Sequence, residues 1–135
     1  MNMTSIKPYL IRSAYDWIVD NGLTPYILVS TDYFGVQVPK EHVVEGRIVL
    51  NISPAATRGL LLENDRIDFA ARFSGKTEQI SIPPGAVLEI YAKENGRGIP
   101  FEIEESPPPP PPAATVDVKS LAGKGSKPSL KLVEK

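Results

Sequence analysis

Cysteine is absent from this chain, and histidine occurs once, at position 42. Without a thiol there is no disulfide framework, no thiolate metal site and no thiol nucleophile. A single imidazole excludes any centre that needs two histidines from one chain. No apolar run approaches the roughly 18 residues of a membrane span. The N-terminal stretch MNMTSIKPYLIRSAYDW lacks the basic, apolar and small-residue segments of a secretory signal. These absences lead us to expect a soluble, cytoplasmic protein. The usual marks of catalysis are missing too. Gly96-Arg97-Gly98 is too short for a phosphate loop and is followed by Ile99-Pro100 rather than a helix. No serine stands in a nucleophile elbow. Glu102, Glu104 and Glu105 precede a proline run and read as a solvated boundary. Asp65 and Asp68 fall on opposite faces of a strand pattern. His42 reads as a solvated loop residue. We expect no enzyme, no cofactor and no metal.

Charge is small but unevenly placed. Five lysines against two acids give +3 to residues 106–135, which leaves −4 for the rest of a chain whose net charge is −1. A mildly acidic body argues against nucleic acid as its main ligand, because phosphate contacts need clustered Lys and Arg. About 105 residues before the proline run are enough to bury a core without staples.

Pro8 suits the start of a helix, where a missing N–H costs nothing. Leu10, Ile11, Ala14, Trp17 and Ile18 then recur at helical spacing, and Asn21-Gly22 supplies the stop. So apolar a face must pack on a sheet or on a second copy of the chain. Tyr26–Ser30 reads as a strand, Val36–Val38 as a short or edge strand ending at Pro39, and Arg47–Ile52 as another. Arg66–Phe73 and Thr77–Ile82 are strands around a tight reversal at Ser74-Gly75-Lys76. Val87–Ala92 is a last strand with helix as the competing reading, and Ile99–Ile103 is a short apolar coda. One helix and about six short strands predict a mainly β body, a small, strongly bent antiparallel sheet or open barrel.

The stretch from Arg47 to Phe73 carries the most information. Ile48, Leu50 and Ile52 share one face, as do Ile67, Phe69 and Phe73. Between and among them lie Ala55, Ala56, Ala70 and Ala71, although alanine is a poor strand former. Small residues among large ones either leave a groove on the sheet or let another element approach closely. Ser53 with Pro54 fits the cap of a single helical turn.

From Ser106 the composition changes. Pro107 to Pro112 predict a polyproline rod about 19 Å long at roughly 3.1 Å per residue. Residues 113–129 are small, polar and lysine-bearing, and predict disorder. Leu130-Lys131-Leu132-Val133-Glu134-Lys135 is either a docking motif on a tether or a frayed end. The expected organisation is a body over 1–105, a Pro-rich linker over 106–129 and a terminal motif over 130–135. Three classes fit: a peptide-binding adaptor, an RNA-binding small barrel supported only by the basic tail, or a structural subunit.

Particular residues narrow the choice. Pro8-Tyr9-Leu10-Ile11-Arg12, Tyr15-Asp16-Trp17, Asp20-Asn21 and Leu23-Thr24-Pro25 resemble the N-terminal helix of SspB, the bacterial specificity-enhancing adaptor of the ClpXP protease. Gly35–Pro39, Ile48–Ile52, Asn64-Asp65, Phe69–Phe73 and Ile90–Gly96 extend the resemblance over roughly Lys7 to Glu102. It implies a homodimer of Sm-like β-fold, with the first helix (Leu10, Ile11, Ala14, Trp17, Ile18) forming much of the contact. It implies that a groove on the sheet holds the ssrA tag added to unfinished proteins by rescue of stalled ribosomes. It implies that Leu130, Lys131, Leu132 and Val133 dock on the N-terminal zinc-binding domain of ClpX, the adaptor itself binding no zinc. Groove logic and the family's pattern together nominate Asn51, Ala55, Ala56, Thr57, Phe69, Ala71, Arg72 and Phe73 as tag-binding, with plain sheet packing as the alternative for each and the core as the favoured place for Phe69. Ala71 and Arg72 point to opposite faces of a regular strand, so both touching the peptide calls for a bulge. Two features depart from the family: Glu134 precedes the final lysine, and the linker is short, proline-led and basic rather than long and acidic.

Overall fold

The computed structural model describes residues 3–102 together with Glu104 and Ser106. The proline run, the rest of the linker and the terminal motif at Leu130–Val133 lie outside the described residues.

Lys7–Asp20 form α1, with Pro8 in its first turn. The helix ends in a Schellman motif: Leu23 N–H donates to Ile18 O at 3.1 Å and Gly22 N–H to Val19 O at 2.9 Å. Gly22 takes the left-handed conformation that this ending requires, at φ +73°. Among the described residues seven strands follow: β1 Pro25–Ser30, β2 Arg47–Asn51, β3 Thr57–Leu62, β4 Ile67–Phe73, β5 Lys76–Ile82, β6 Val87–Ala92 and β7 Gly98–Pro100. Every pairing is antiparallel. The strands form two open sheets, β2-β1-β6-β7 and β3-β4-β5. The mainly β body with an N-terminal helix is thus as the sequence predicts, with the bend resolved into two sheets that do not close.

The core follows from the alternation. Ile27 and Val29 of β1, Ile48 and Leu50 of β2, Ile67 and Phe69 of β4, Ile80 and Ile82 of β5, and Val87 and Ile90 of β6 are buried. Ile11, Ala14 and Ile18 of α1 close over them. Each large apolar side chain so buried stabilises the fold by roughly 1.5–3 kcal/mol relative to exposure.

Three local readings change, and one between two alternatives is decided. The connection after β2 holds a strand: only Ser53–Ala56 turn, with Ala56 N–H donating to Ser53 O at 3.1 Å, and β3 begins at Thr57. Pairing with β4, not alternation, makes this strand. Its register passes from Arg58↔Ala70 to Leu61↔Asp68, so β3 carries one extra residue, and Gly59 at φ +65° relieves the bulge. Val36–Val38 does not form a strand; Gln37 makes one bridge to Ser81, with bonds of 2.8 and 3.1 Å, and Pro39 removes the next-but-one donor. Val87–Ala92 is a strand, paired on both edges by β1 and β7. The coda pairs as β7, Gly98–Pro100, a little earlier than Ile99–Ile103.

Candidate functional site

Where β2 leaves the first sheet and β3 enters the second, the chain turns through Ser53-Pro54-Ala55-Ala56. Asn51 shapes this turn: its Oδ1 accepts the Ser53 N–H at 2.9 Å. Thr57 Oγ1 donates to Ser53 O at 3.0 Å. These local bonds hold Ala55 and Ala56 beside β4 without bulky side chains between. Two hollows open there. One of about 470 Å³ is lined by the Pro54–Arg58 segment, Ala70–Arg72 and Thr77. The other, about 250 Å³, is lined by Tyr26, Val49 and Asn51 of the first sheet, Ala56, and Ala71–Phe73 of the second. Ala56, Ala71 and Arg72 line both, so the hollows form one continuous cleft bridging the two sheets.

Seven of the eight nominated residues line this cleft: Asn51, Ala55, Ala56, Thr57, Ala71, Arg72 and Phe73. The exception is Phe69, which is 1% exposed in the core and not a lining residue. The expected bulge at Ala71 and Arg72 is absent on the β5 side, where β4 pairs without a break from Ile67↔Ile82 to Phe73↔Lys76. The extra residue sits in β3 instead. Arg72 is exposed and its Nη2 donates to Gly75 O at 3.2 Å. That carbonyl belongs to the hairpin tip, where Ser74 (φ 51°) and Gly75 (φ 83°) make a type I′ turn.

Sequence reasoning missed Tyr26, Val49, Pro54, Arg58 and Thr77, and marked Ala70 only as one of the small residues of a possible groove. Val49 had a signal: it is a large apolar residue on the polar face of β2, and it is 46% exposed. His42 is corrected too; it is half-buried, its ring 5.1 Å from that of Phe73. The lining carries two guanidinium groups, Arg58 and Arg72, and no carboxylate. Burial, then Glu89 and Tyr26, push the Tyr91 phenol above its ordinary value, and its ring meets Tyr26 edge-on at 6.0 Å, backing one wall.

The nominated dimer residues divide. Ile11, Ala14 and Ile18 are at most 2% exposed against the chain's own sheets and are unavailable to a second copy. Trp17 is 49% exposed, Tyr9 47%, and Leu10 is partly covered. Among the described residues no group of three or more His, Cys, Asp or Glu stands together as a metal site, and no helix is long and apolar enough to cross a membrane.

The fold and cleft define a helix-capped, mainly β protein with an alanine-lined cleft that bridges its two sheets and carries two arginines and no carboxylate. The chain belongs to the stringent starvation protein B family, whose model matches residues 5–129. It is 56% identical over 99 residues to the stringent starvation protein B homolog of Haemophilus influenzae, a match covering 73% of this chain and 66% of that protein.

Proposed function

We propose that this protein is a substrate adaptor of the ClpXP protease, binding the ssrA tag in the cleft between its sheets. The observation that carries the reading is the coincidence of family membership with a cleft whose walls are Ala55, Ala56 and Ala71. An extended peptide rises about 3.3 Å per residue and presents a main chain that must be approached closely. Alanine walls allow that approach. Asn51, with Oδ1 engaged by Ser53, offers its amide N–H groups to the peptide. Arg58 and Arg72 offer charge-assisted bonds to acidic groups of the tag. The chain after Ser106 tethers the body to the N-terminal zinc-binding domain of ClpX through Leu130, Lys131, Leu132 and Val133. Substrate capture by ClpX then becomes nearly intramolecular, which raises effective concentration. The body works as a homodimer through the helix surface that the chain's own sheets leave wholly or partly open, Tyr9, Leu10 and Trp17. In this role the chain makes and breaks no covalent bond.

The test is fluorescence anisotropy of a labelled ssrA-tag peptide with the full chain and with Ala56→Glu, at two salt concentrations. A carboxylate at the junction of the two hollows should weaken binding at least about tenfold, or ~1.4 kcal/mol, and salt should change affinity only a few-fold. A folded protein that ignores the peptide would remove the proposal. Binding of RNA with a steep salt slope would favour the small-barrel RNA reading instead.

A further inference from the structure

Lys7 is only 4% exposed, in the first turn of α1. A buried ammonium is costly unless its N–H bonds find acceptors. Lys7 Nζ donates to Val87 O at 3.0 Å, Gly85 O at 3.1 Å and Glu102 O at 3.5 Å. Glu104 Oε2 stands 3.6 Å away, and Nζ lies 5.3 Å from the centre of the Phe101 ring. Ser5 completes the cluster: its Oγ accepts the Lys7 N–H at 3.1 Å and donates to Glu104 Oε2 at 3.4 Å. Glu104 is therefore not the free solvated acid that its place before a proline run suggests.

The partners fall into two sets. Gly85 and Val87 belong to the one-turn 3₁₀ helix Pro84–Ala86 and the start of β6. Phe101, Glu102 and Glu104 belong to the segment that follows β7. One side chain thus joins the helix start, the body and the root of the tail. The segment has two further fastenings: Phe101 N–H donates to Leu88 O at 2.9 Å, and Ser106 Oγ accepts the Phe34 N–H at 2.7 Å. None of the Lys7 partners lines the cleft. An apolar side chain would fill this place without the desolvation that pushes the Lys7 pKa down against the opposing pull of Glu104. A cation here makes sense where carbonyls and a carboxylate must be gathered.

The geometry points to Lys7 as a clasp that sets where the C-terminal tether begins. Closed, it holds Phe101, Glu102, Glu104 and Ser106 to the body. Open, it releases the segment from the end of β7 onward, and reach grows by up to about 20 Å of extended backbone. The use made of that reach rests on the adaptor reading; the clasp itself does not.

The experiment is limited digestion of the full chain by a glutamate-specific protease, in the native protein, Lys7→Met and Glu104→Gln. Cleavage after Glu102 reports the clasp, and cleavage after Glu63 and Glu94 reports general loosening. Lys7→Met should speed cleavage after Glu102 by about tenfold or more while Glu63 and Glu94 keep their rates, since removing a charged donor from buried acceptors opens the segment locally. Glu104→Gln, which leaves Lys7 on its three carbonyls, should give a smaller gain at the same bond, and it carries the test if Lys7→Met does not fold. An unchanged rate after Glu102, or an equal rise at all three sites, would overturn the proposal. Tag-peptide anisotropy on the same samples separates the two readings. Selective cleavage with unaltered tag binding supports the clasp as independent of the cleft. Selective cleavage in a protein that binds no tag leaves the clasp standing and the adaptor reading fallen.

Discussion

Phe69 and Phe73 lie four residues apart on the same face of β4, and truncating each should have opposite consequences. Phe69 is 1% exposed and pairs across to Ile80 at the centre of the core. Phe69→Ala removes a full ring from a close-packed site, and such truncations cost about 3–5 kcal/mol. Against a total stability of roughly 5–15 kcal/mol, that is a third or more of the whole in many cases. For a body of this size each kcal/mol shifts the melting temperature by about 4–8 °C, so a fall on the order of 20 °C is expected. Phe73 is only partly buried at the edge of the core, and its ring lies 5.1 Å from that of His42. An aromatic pair is worth about 0.5–1.5 kcal/mol beyond its buried area, so Phe73→Ala should lower the melting temperature by roughly 5–10 °C. Binding should reverse the order. Phe73 lines the cleft and Phe69 does not. The milder Phe69→Leu should therefore keep its affinity for the tag peptide, and Phe73→Ala should lose several-fold. Thermal melts and peptide anisotropy on the same preparations read both. Equal destabilisation by the two alanine variants, or loss of binding by a well-folded Phe69→Leu, would refute this division of β4.

Gly98→Ala should loosen β7. The added Cβ would meet Ile90 O at 1.9 Å and Tyr91 Cα at 2.5 Å, both backbone, so the strand must lift off β6 at a cost of roughly 1–3 kcal/mol; unaltered hydrogen exchange at the Ile90–Ile99 pair would contradict this. Glu94 should titrate below its ordinary 4.5, because the Thr24 hydroxyl and then the Thr24 N–H bond its carboxylate, at 2.7 and 2.9 Å. Its folded value is depressed, so the tie is fully present above pH 4.5 and is lost as pH falls through that lower value. Carboxyl NMR titration should show the Glu94 midpoint moving partway back toward 4.5 in Thr24→Val, and an unmoved midpoint would assign the shift to another cause.

By itself the sequence determined the local elements that rest on period and punctuation. Alternation in Arg47–Ile52, Arg66–Phe73 and Thr77–Ile82 marked β2, β4 and β5; spacing and Asn21-Gly22 marked α1 and its end. It also marked the cleft's small-residue lining, because alanines among isoleucines and phenylalanines are visible in one dimension. Tertiary structure decided everything that depends on which elements meet. β3 is a strand because β4 lies beside it, though Thr57-Arg58-Gly59 has no strand pattern of its own. Phe69 and Phe73 share a period-2 face, yet that face runs from the core's centre to its rim, and periodicity cannot tell depth along a strand. Likewise, a helical stripe cannot say whether its partner is the chain's own sheet or another copy; the fold turns Ile11, Ala14 and Ile18 inward and leaves Trp17 outside. Lys7 and Glu104 are almost the whole body apart in sequence. Their meeting is a property of the folded chain alone, since charge and spacing along a sequence carry no record of contacts closed over such a distance.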